Sequence, residues 1–125
     1  MLKLNLTLLY VEDPARSADF YAKLLGRKPV ESSPGFAMFV LDNGFKLGLW
    51  KRNEVQPEVQ GAAGTAELVF AAESDTEVDD TFADWTAKGI VVAQTPFRLQ
   101  FGYTFVGFDP DGHRLRVYKL AADPR

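Results

Sequence analysis

The feature that most constrains this chain is that its structural signals occur twice in the same order. Residues 4–11 form an apolar, β-rich run. Asp13-Pro14 follows, with Asp13 suited to cap a helix and Pro14 to occupy its first position. The predicted helix carries Ala18, Phe20, Tyr21, Leu24 and Leu25 and stops at Gly26. Strands are predicted over 28–32, 36–41 and 45–51, the last two joined by Asp42-Asn43-Gly44, since Asn-Gly between apolar runs is a strong hairpin signal. The second half repeats this order. A strand over 66–72 leads to Ser74 or Asp75 as a cap, and a helix with Val78, Phe82 and Trp85 runs up to Gly89. Strands over 90–94, 103–109 and 114–120 follow, with Asp109-Pro110-Asp111-Gly112 as the final turn. The offset is 61 positions at the first strand (Leu6 against Glu67) and 68 at the hairpin (Gly44 against Gly112). Identity between the halves is low, so the repeat lies in the order of the signals.

The expected architecture is therefore α+β, with two βαβββ modules forming a curved mixed sheet with a concave cleft and one helix on the outer face of each module. Module 1 covers about 1–52, a linker about 53–65 (Pro57, Gly61, Gly64, no periodicity) and module 2 about 66–125, within one domain of 125 residues. A generic α+β sandwich is the alternative. A net charge of -3 gives no footprint for nucleic acid or an anionic membrane. The absence of cysteine excludes disulfides, thiolate chemistry and Cys-based metal sites. No basic and apolar leader and no 18-residue apolar run occurs, so neither export nor membrane insertion is expected and a cytoplasmic location is. The 10 Phe, 4 Tyr and 2 Trp fit either ordinary core packing or an aromatic-lined pocket.

Two stretches carry a family resemblance. The first is Val11-Glu12-Asp13-Pro14-Ala15-Arg16-Ser17-Ala18-Asp19-Phe20-Tyr21 with Leu25-Gly26, and the second is Phe108-Asp109-Pro110-Asp111-Gly112-His113-Arg114-Leu115. Together they resemble the opening and closing signatures of the vicinal oxygen chelate superfamily, which includes glyoxalase I, bleomycin-resistance proteins, fosfomycin-resistance enzymes and extradiol dioxygenases. Most of these residues are scaffold: Asp-Pro starts a helix, aromatics pack it on a sheet, and Asp-Gly makes a tight turn.

In metal-dependent members of that superfamily each module offers two ligand positions, one on its first strand and one on its last. The resemblance places those positions at Leu6, Gly48, Glu67 and Arg116. A divalent ion needs several oxygen or nitrogen ligands converging on it. Only Glu67 qualifies, and Arg116 would put a fixed cation where the ion should sit, so neither a metal nor a cofactor is expected. If Glu67 and Arg116 lie together, carboxylate and guanidinium neutralise each other as a bidentate pair. That pair either fills the vacated site as a structural contact or serves as a polar handle for a ligand. The lone His113 lies in a turn and has no constellation for catalysis around it.

Taken from the four positions that the resemblance implies, strand alternation assigns neighbours to each face. One face takes Leu6, Leu8, Tyr10, Lys46, Gly48, Trp50, Glu67, Val69, Ala71, Arg114, Arg116 and Tyr118. The other takes Thr7, Leu9, Val11, Leu47, Leu49, Leu68, Phe70, Leu115 and Val117, an almost wholly apolar set fit for helix packing. The mixed face suits a ligand cleft with a few placed polar groups. Trp50 either stacks on a flat ligand or anchors a dimer interface. Gly48 in a strand interior implies a close approach, which a planar ligand would satisfy. Phe36 and the run Phe97-Arg98-Leu99-Gln100-Phe101-Gly102-Tyr103 supply candidate rim aromatics.

Within the superfamily the chain most resembles the metal-free phenazine antibiotic-resistance binding proteins, through Leu9-Tyr10-Val11, Arg16-Ser17, Asp19-Phe20-Tyr21, Trp50, Glu67, Phe101-Gly102, Thr104-Phe105, Asp109-Pro110-Asp111-Gly112-His113 and Arg116. The resemblance implies a homodimer with a planar aromatic small molecule held between the two chains, bound without turnover. The ligand-binding set expected is Trp50, Phe36, Tyr103, Arg116, Glu67, Tyr10, Gly48 and Phe101, with no catalytic residue. The rivals are a metal-dependent glyoxalase-, lyase- or thiol-transferase-type enzyme of the same fold, and a dimeric module with no small-molecule ligand.

Overall fold

The computed structural model describes residues 1–122, so the last three positions of the expected second module lie outside the described residues. The chain forms two compact units, the first spanning Met1–Gly61 and the second beginning at Ala62. Each has the element order read from the sequence.

In the first unit, β1 (Leu6–Val11) is followed by α1 (Pro14–Leu25) and then β2 (Glu31–Ser33), β3 (Phe36–Val40) and β4 (Lys46–Lys51). The sheet order is β1-β4-β3-β2, with β1 parallel to β4 and the other pairs antiparallel. The Asp13 side chain accepts hydrogen bonds from the Ala15 and Arg16 amides, which would otherwise lack partners at the helix start. Gly26 closes the helix at φ 67°, a backbone region that residues with a Cβ avoid. Gly44, at φ 84°, turns the β3–β4 hairpin, whose register pairs Val40 with Lys46 and Phe36 with Trp50. Strand β2 begins at Glu31 where the sequence suggested residue 28; its pairing starts opposite Met38, whose carbonyl accepts the Val30 amide at 2.8 Å.

In the second unit, β5 (Glu67–Ala71), α2 (Asp75–Ala87), β6 (Val92–Leu99), β7 (Gly102–Phe108) and β8 (Arg114–Leu120) give the sheet order β5-β8-β7-β6, with β5 parallel to β8. Ser74 caps α2 by accepting from the Glu77 amide. The Glu77 carboxylate accepts from the Glu73 amide at 2.7 Å, one residue before the cap. Strand β6 runs on to Leu99, well past the residue 94 expected. Pro96, which cannot donate to a ladder, is tolerated because β6 is an edge strand with register shifts at Val92/Gln94 and Gln94/Phe97. Residues expected to link the modules hold a 3₁₀ turn at Arg52–Glu54 and a buried Val55.

Each helix covers one face of its own sheet. Val11, Ala37, Phe39, Leu47 and Leu49 are buried with Ala18 and Tyr21 of α1. Leu115, Val117 and Phe105 are buried with Val78 and Trp85 of α2, where Trp85 packs edge-on against Phe70 and Phe105. The helix-free face of the first unit leaves Leu6, Leu8 and Tyr10 partly in solvent. Among the described residues no helix is long and apolar enough to cross a membrane.

Candidate functional site

The strongest polar feature sits on the helix-free face of the second unit. Parallel pairing of β5 with β8 sets Glu67 opposite Arg114 and Val69 opposite Arg116, so both arginines share a face with the carboxylate. Arg116 Nε donates to Glu67 Oε1 at 2.8 Å and Arg116 Nη2 donates to Oε2 at 3.0 Å, the fork geometry expected from the sequence. Arg116 Nη1 donates to Thr104 Oγ1 at 3.2 Å, and the buried Thr104 hydroxyl in turn donates to the Val117 carbonyl at 2.7 Å. Arg114 Nε lies 3.4 Å from Glu67 Oε2, yet it is buried with no hydrogen-bond partner. The hydrogen bond from Arg116 holds the Glu67 carboxyl below its ordinary 4.5, against the opposing effect of burial and with help from the charges of Arg116 and Arg114. The Phe101 ring lies 5.8 Å from the Arg116 guanidinium carbon and edge-on to Tyr118 at 6.1 Å.

The first unit presents an aromatic corner on its helix-free face. Trp50 is the cross-strand partner of both Tyr10 and Phe36, and the Tyr10 and Trp50 rings meet edge-on at 6.4 Å. Gly48 is buried in the same face, but what approaches it is this chain itself. A Cβ there would meet Leu8 Cδ2 at 2.7 Å and the Phe36 ring at 3.1 Å. The close approach inferred for a ligand is thus made by Phe36 and Leu8, and Gly48 supports the corner without lining it.

Tyr103 also departs from expectation. Antiparallel pairing puts it opposite Lys119, on the side of β7 that carries Phe105, and its hydroxyl donates to Asp79 of α2 at 2.7 Å. It therefore belongs to the helix-covered side, apart from Glu67 and Arg116. Asp79 keeps the phenol protonated above its ordinary 10.0. Arg98, paired with Asp75 at 2.7 Å, lies over the Tyr103 ring at 4.8 Å. Phe97 is the partner of Thr104 and shares its face, with 56% of its surface exposed. Arg114 was marked in the sequence by strand parity from Arg116, and Phe97 as the first of the candidate rim aromatics. His113 sits in the last turn, where its amide donates to the buried Asp109 carboxylate at 2.9 Å.

These residues do not fit the metal of the superfamily's catalytic members. Leu6 and Gly48 offer no side-chain donor, and both oxygens of Glu67 are taken by Arg116. Among the described residues no group of three or more His, Asp or Glu side chains is placed to hold an ion. Depressions of 510 Å³ (lined by Glu12, Lys51, Arg52, Val55 and Glu58, among others) and 930 Å³ (Asp13, Arg16, Ser33 and Asn53, among others) occur in the first unit, and neither includes Tyr10, Phe36 or Trp50.

Comparison with known proteins bears on the family and the fold. Residues 3–117 match the model of the Glyoxalase/Bleomycin resistance protein/Dioxygenase superfamily. The chain is 33% identical over 119 residues to the phenazine antibiotic resistance protein EhpR of Enterobacter agglomerans, covering 93% of this chain and 91% of that one. The solution structure of protein ATC0852 from Agrobacterium tumefaciens is 52% identical, with a TM-score of 0.90 over 98% of this chain and 100% of its own. A glyoxalase/bleomycin resistance protein/dioxygenase from Nocardioides shares the fold at a TM-score of 0.84 and 21% identity, over 100% of this chain and 89% of its own.

Proposed function

The chain belongs to the Glyoxalase/Bleomycin resistance protein/Dioxygenase superfamily, and we propose that this member binds a planar aromatic small molecule of the phenazine type and sequesters it without turnover. The observation that carries the proposal is the corner formed by Tyr10, Trp50 and Phe36, three rings brought together by strand register on a face no helix covers. Cross-strand aromatics with partly exposed faces offer a flat ring system a stacking surface, worth about 0.5–1.5 kcal/mol per ring pair beyond the area buried. The Glu67–Arg116 pair, with Phe101 beside it, offers polar groups that orient a ligand on the face of the second unit.

Sequestration is favoured over chemistry because the donor set for a catalytic ion is replaced by a leucine, a glycine and a guanidinium. The name of the Enterobacter agglomerans relative supports phenazines as the ligand class and resistance as the outcome. A homodimer is part of the proposal, supported by the exposed apolar side chains Leu6, Leu8 and Val69 on the helix-free faces. A cytoplasmic location is also part of it, supported by the lack of cysteine.

Titration of intrinsic tryptophan fluorescence with phenazine tests the reading. Saturable quenching is expected in the wild type, lost or weakened about tenfold in Trp50→Ala. Trp85, buried between α2 and its sheet, contributes a constant background. Absence of saturable quenching, or Trp50→Ala binding as tightly as the wild type, would sink the proposal.

A further inference from the structure

We propose that Asn43 is a site of spontaneous covalent modification, where the backbone amide of Gly44 expels the side-chain amide as ammonia and leaves an aspartyl or isoaspartyl residue in the β3–β4 turn. The inference is independent of the ligand and of the binding role proposed above.

The first observation is the pairing of nucleophile and target. The chain has three asparagines, and Leu6 and Glu54 follow two of them, Asn5 and Asn53. Asn43 alone precedes a glycine, whose amide nitrogen has no Cβ beside it to hinder its approach to Asn43 Cγ. Residues 42–45 are all exposed, so water and hydroxide reach the turn.

The second observation is how the turn holds the amide. The Phe45 backbone N–H donates to Asn43 Oδ1 at 3.0 Å, which folds the side chain back over the peptide bond joining Asn43 to Gly44. That bond polarises the carbonyl to be attacked and is already in place to stabilise the negative charge that develops on Oδ1. Arg27 pins the turn by donating to the Val40 carbonyl at 2.7 Å and to the Asp42 carboxylate at 2.6 Å. In the opposite direction, the Gly44 amide donates to the Leu41 carbonyl at 2.9 Å and must open before its nitrogen can attack. One exposed neutral hydrogen bond slows the step by no more than about tenfold.

The chemistry needs only water. Gly44 N gives its proton to hydroxide and bonds to Asn43 Cγ, and the Cγ–Nδ2 bond breaks as Nδ2 takes a proton from water and leaves as ammonia. Water then opens the cyclic imide at Cγ to give aspartate, or at the Asn43 backbone carbonyl to give isoaspartate. One water is consumed and one ammonia released, with no redox change.

The third observation separates the two products. The repeat offset of the hairpins places Asp111 of the second unit at the position of Asn43. Both turns close with the same two backbone bonds: Leu41 to Phe45 and Gly44 to Leu41 at 2.9 Å each, and Asp109 to His113 at 2.9 Å and Gly112 to Asp109 at 3.1 Å. Gly44 and Gly112 adopt φ 84° and 89°. A turn of this geometry therefore holds an aspartate. Isoaspartate adds a main-chain carbon inside the segment that these bonds close, so it disrupts the hairpin.

Peptide mapping by mass spectrometry of the full chain, held at pH 8 in native buffer and in urea, tests the assignment. Native Asn43 is expected to convert at least about tenfold faster than Asn5 or Asn53, and no more than about tenfold below its own rate in urea. Asn43→Asp should melt with the fresh wild type, and the isoaspartyl fraction should melt lower. Conversion of Asn43 no faster than that of the other two asparagines, or slowed by folding beyond tenfold, overturns the proposal. An Asn43→Asp protein that melts as low as the isoaspartyl fraction overturns the distinction between the products. The wild-type rates need no substitution, so they decide the matter even if the variant folds poorly.

Discussion

Replacing Glu67 by glutamine should cost more than replacing Arg116 by methionine, although the two side chains belong to one ion pair. The carboxylate accepts two bonds from Arg116 and faces Arg114 at 3.4 Å, so its loss strands two cations side by side. Loss of Arg116 leaves Glu67 with Arg114 still beside it, and the methionine stem retains most of the packing. A hydrogen bond to a charged group contributes about 1.5–3 kcal/mol when buried, and an exposed pair about 0.2–1 kcal/mol. With side chains 14% and 25% exposed, this pair lies between those limits. Glu67→Gln should therefore cost about 2 kcal/mol and Arg116→Met about 1 kcal/mol. In a domain of this size about 2 kcal/mol lowers Tm by roughly 6–10 °C, which circular dichroism melts resolve easily. The pH dependence gives a second handle. The folded-state pKa of Glu67 lies below its ordinary 4.5, so its stabilisation is fully present above that value. It is lost as pH falls through the folded-state pKa, and the gap between wild type and Glu67→Gln should narrow in acid. A Glu67→Gln protein as stable as the wild type at pH 7, or less destabilised than Arg116→Met, would refute the reasoning.

Two further outcomes follow from the placement of Tyr103 and Gly48. Tyr103→Phe should leave phenazine affinity unchanged, because the ring lies on the helix-covered side of its sheet. The same variant should remove a phenol that ionises above 10.0 in an ultraviolet titration. Gly48→Ala forces Leu8 outward and the Phe36 ring aside by a few tenths of an ångström. Overpacking of about 1–3 kcal/mol, offset by about 0.4–1 kcal/mol from a stiffer unfolded chain, predicts a net loss near 1 kcal/mol in urea denaturation. Ligand affinity should drop with it, since Phe36 is the cross-strand partner of Trp50.

Most of the fold was legible because its signals are local. Asp13-Pro14, Gly26, Asn43-Gly44, Ser74 and Asp111-Gly112 mark helix starts, helix ends and turns through bonds made within a few residues. The Glu67–Arg116 pair was legible for another reason: the family resemblance assigns both to ligand positions of one site, and alternation within each strand then gives their neighbours. The errors arose where alternation was not carried across a turn. The last turn sets Phe108 opposite Arg114, and the same register fixes Thr104 against Tyr118 and Tyr103 against Lys119. Counting from that turn assigns Tyr103 to the helix side and Thr104 to the open one. Gly48 misled differently, because a glycine announces a close approach but not what approaches. Pro96 concealed the length of β6, since a proline stops a central strand but not an edge strand.

The buried hydroxyl of Thr104 bears on how this protein could change over evolutionary time. It binds Arg116 to the β8 backbone through the Val117 carbonyl, so the guanidinium is built into the sheet. Exchanging Arg116 for a carboxylate would set two acids against each other, leave Arg114 as their sole counterion and deprive Thr104 of its donor. Ligands would still be missing at Leu6 and Gly48, and filling Gly48 collides with Phe36. Each step toward an ion-binding set at these positions lowers stability before any ion can repay it. Arg116 and Gly48 are therefore coupled to Thr104, Arg114, Phe36 and Leu8, so that neither position can change alone without a cost in stability.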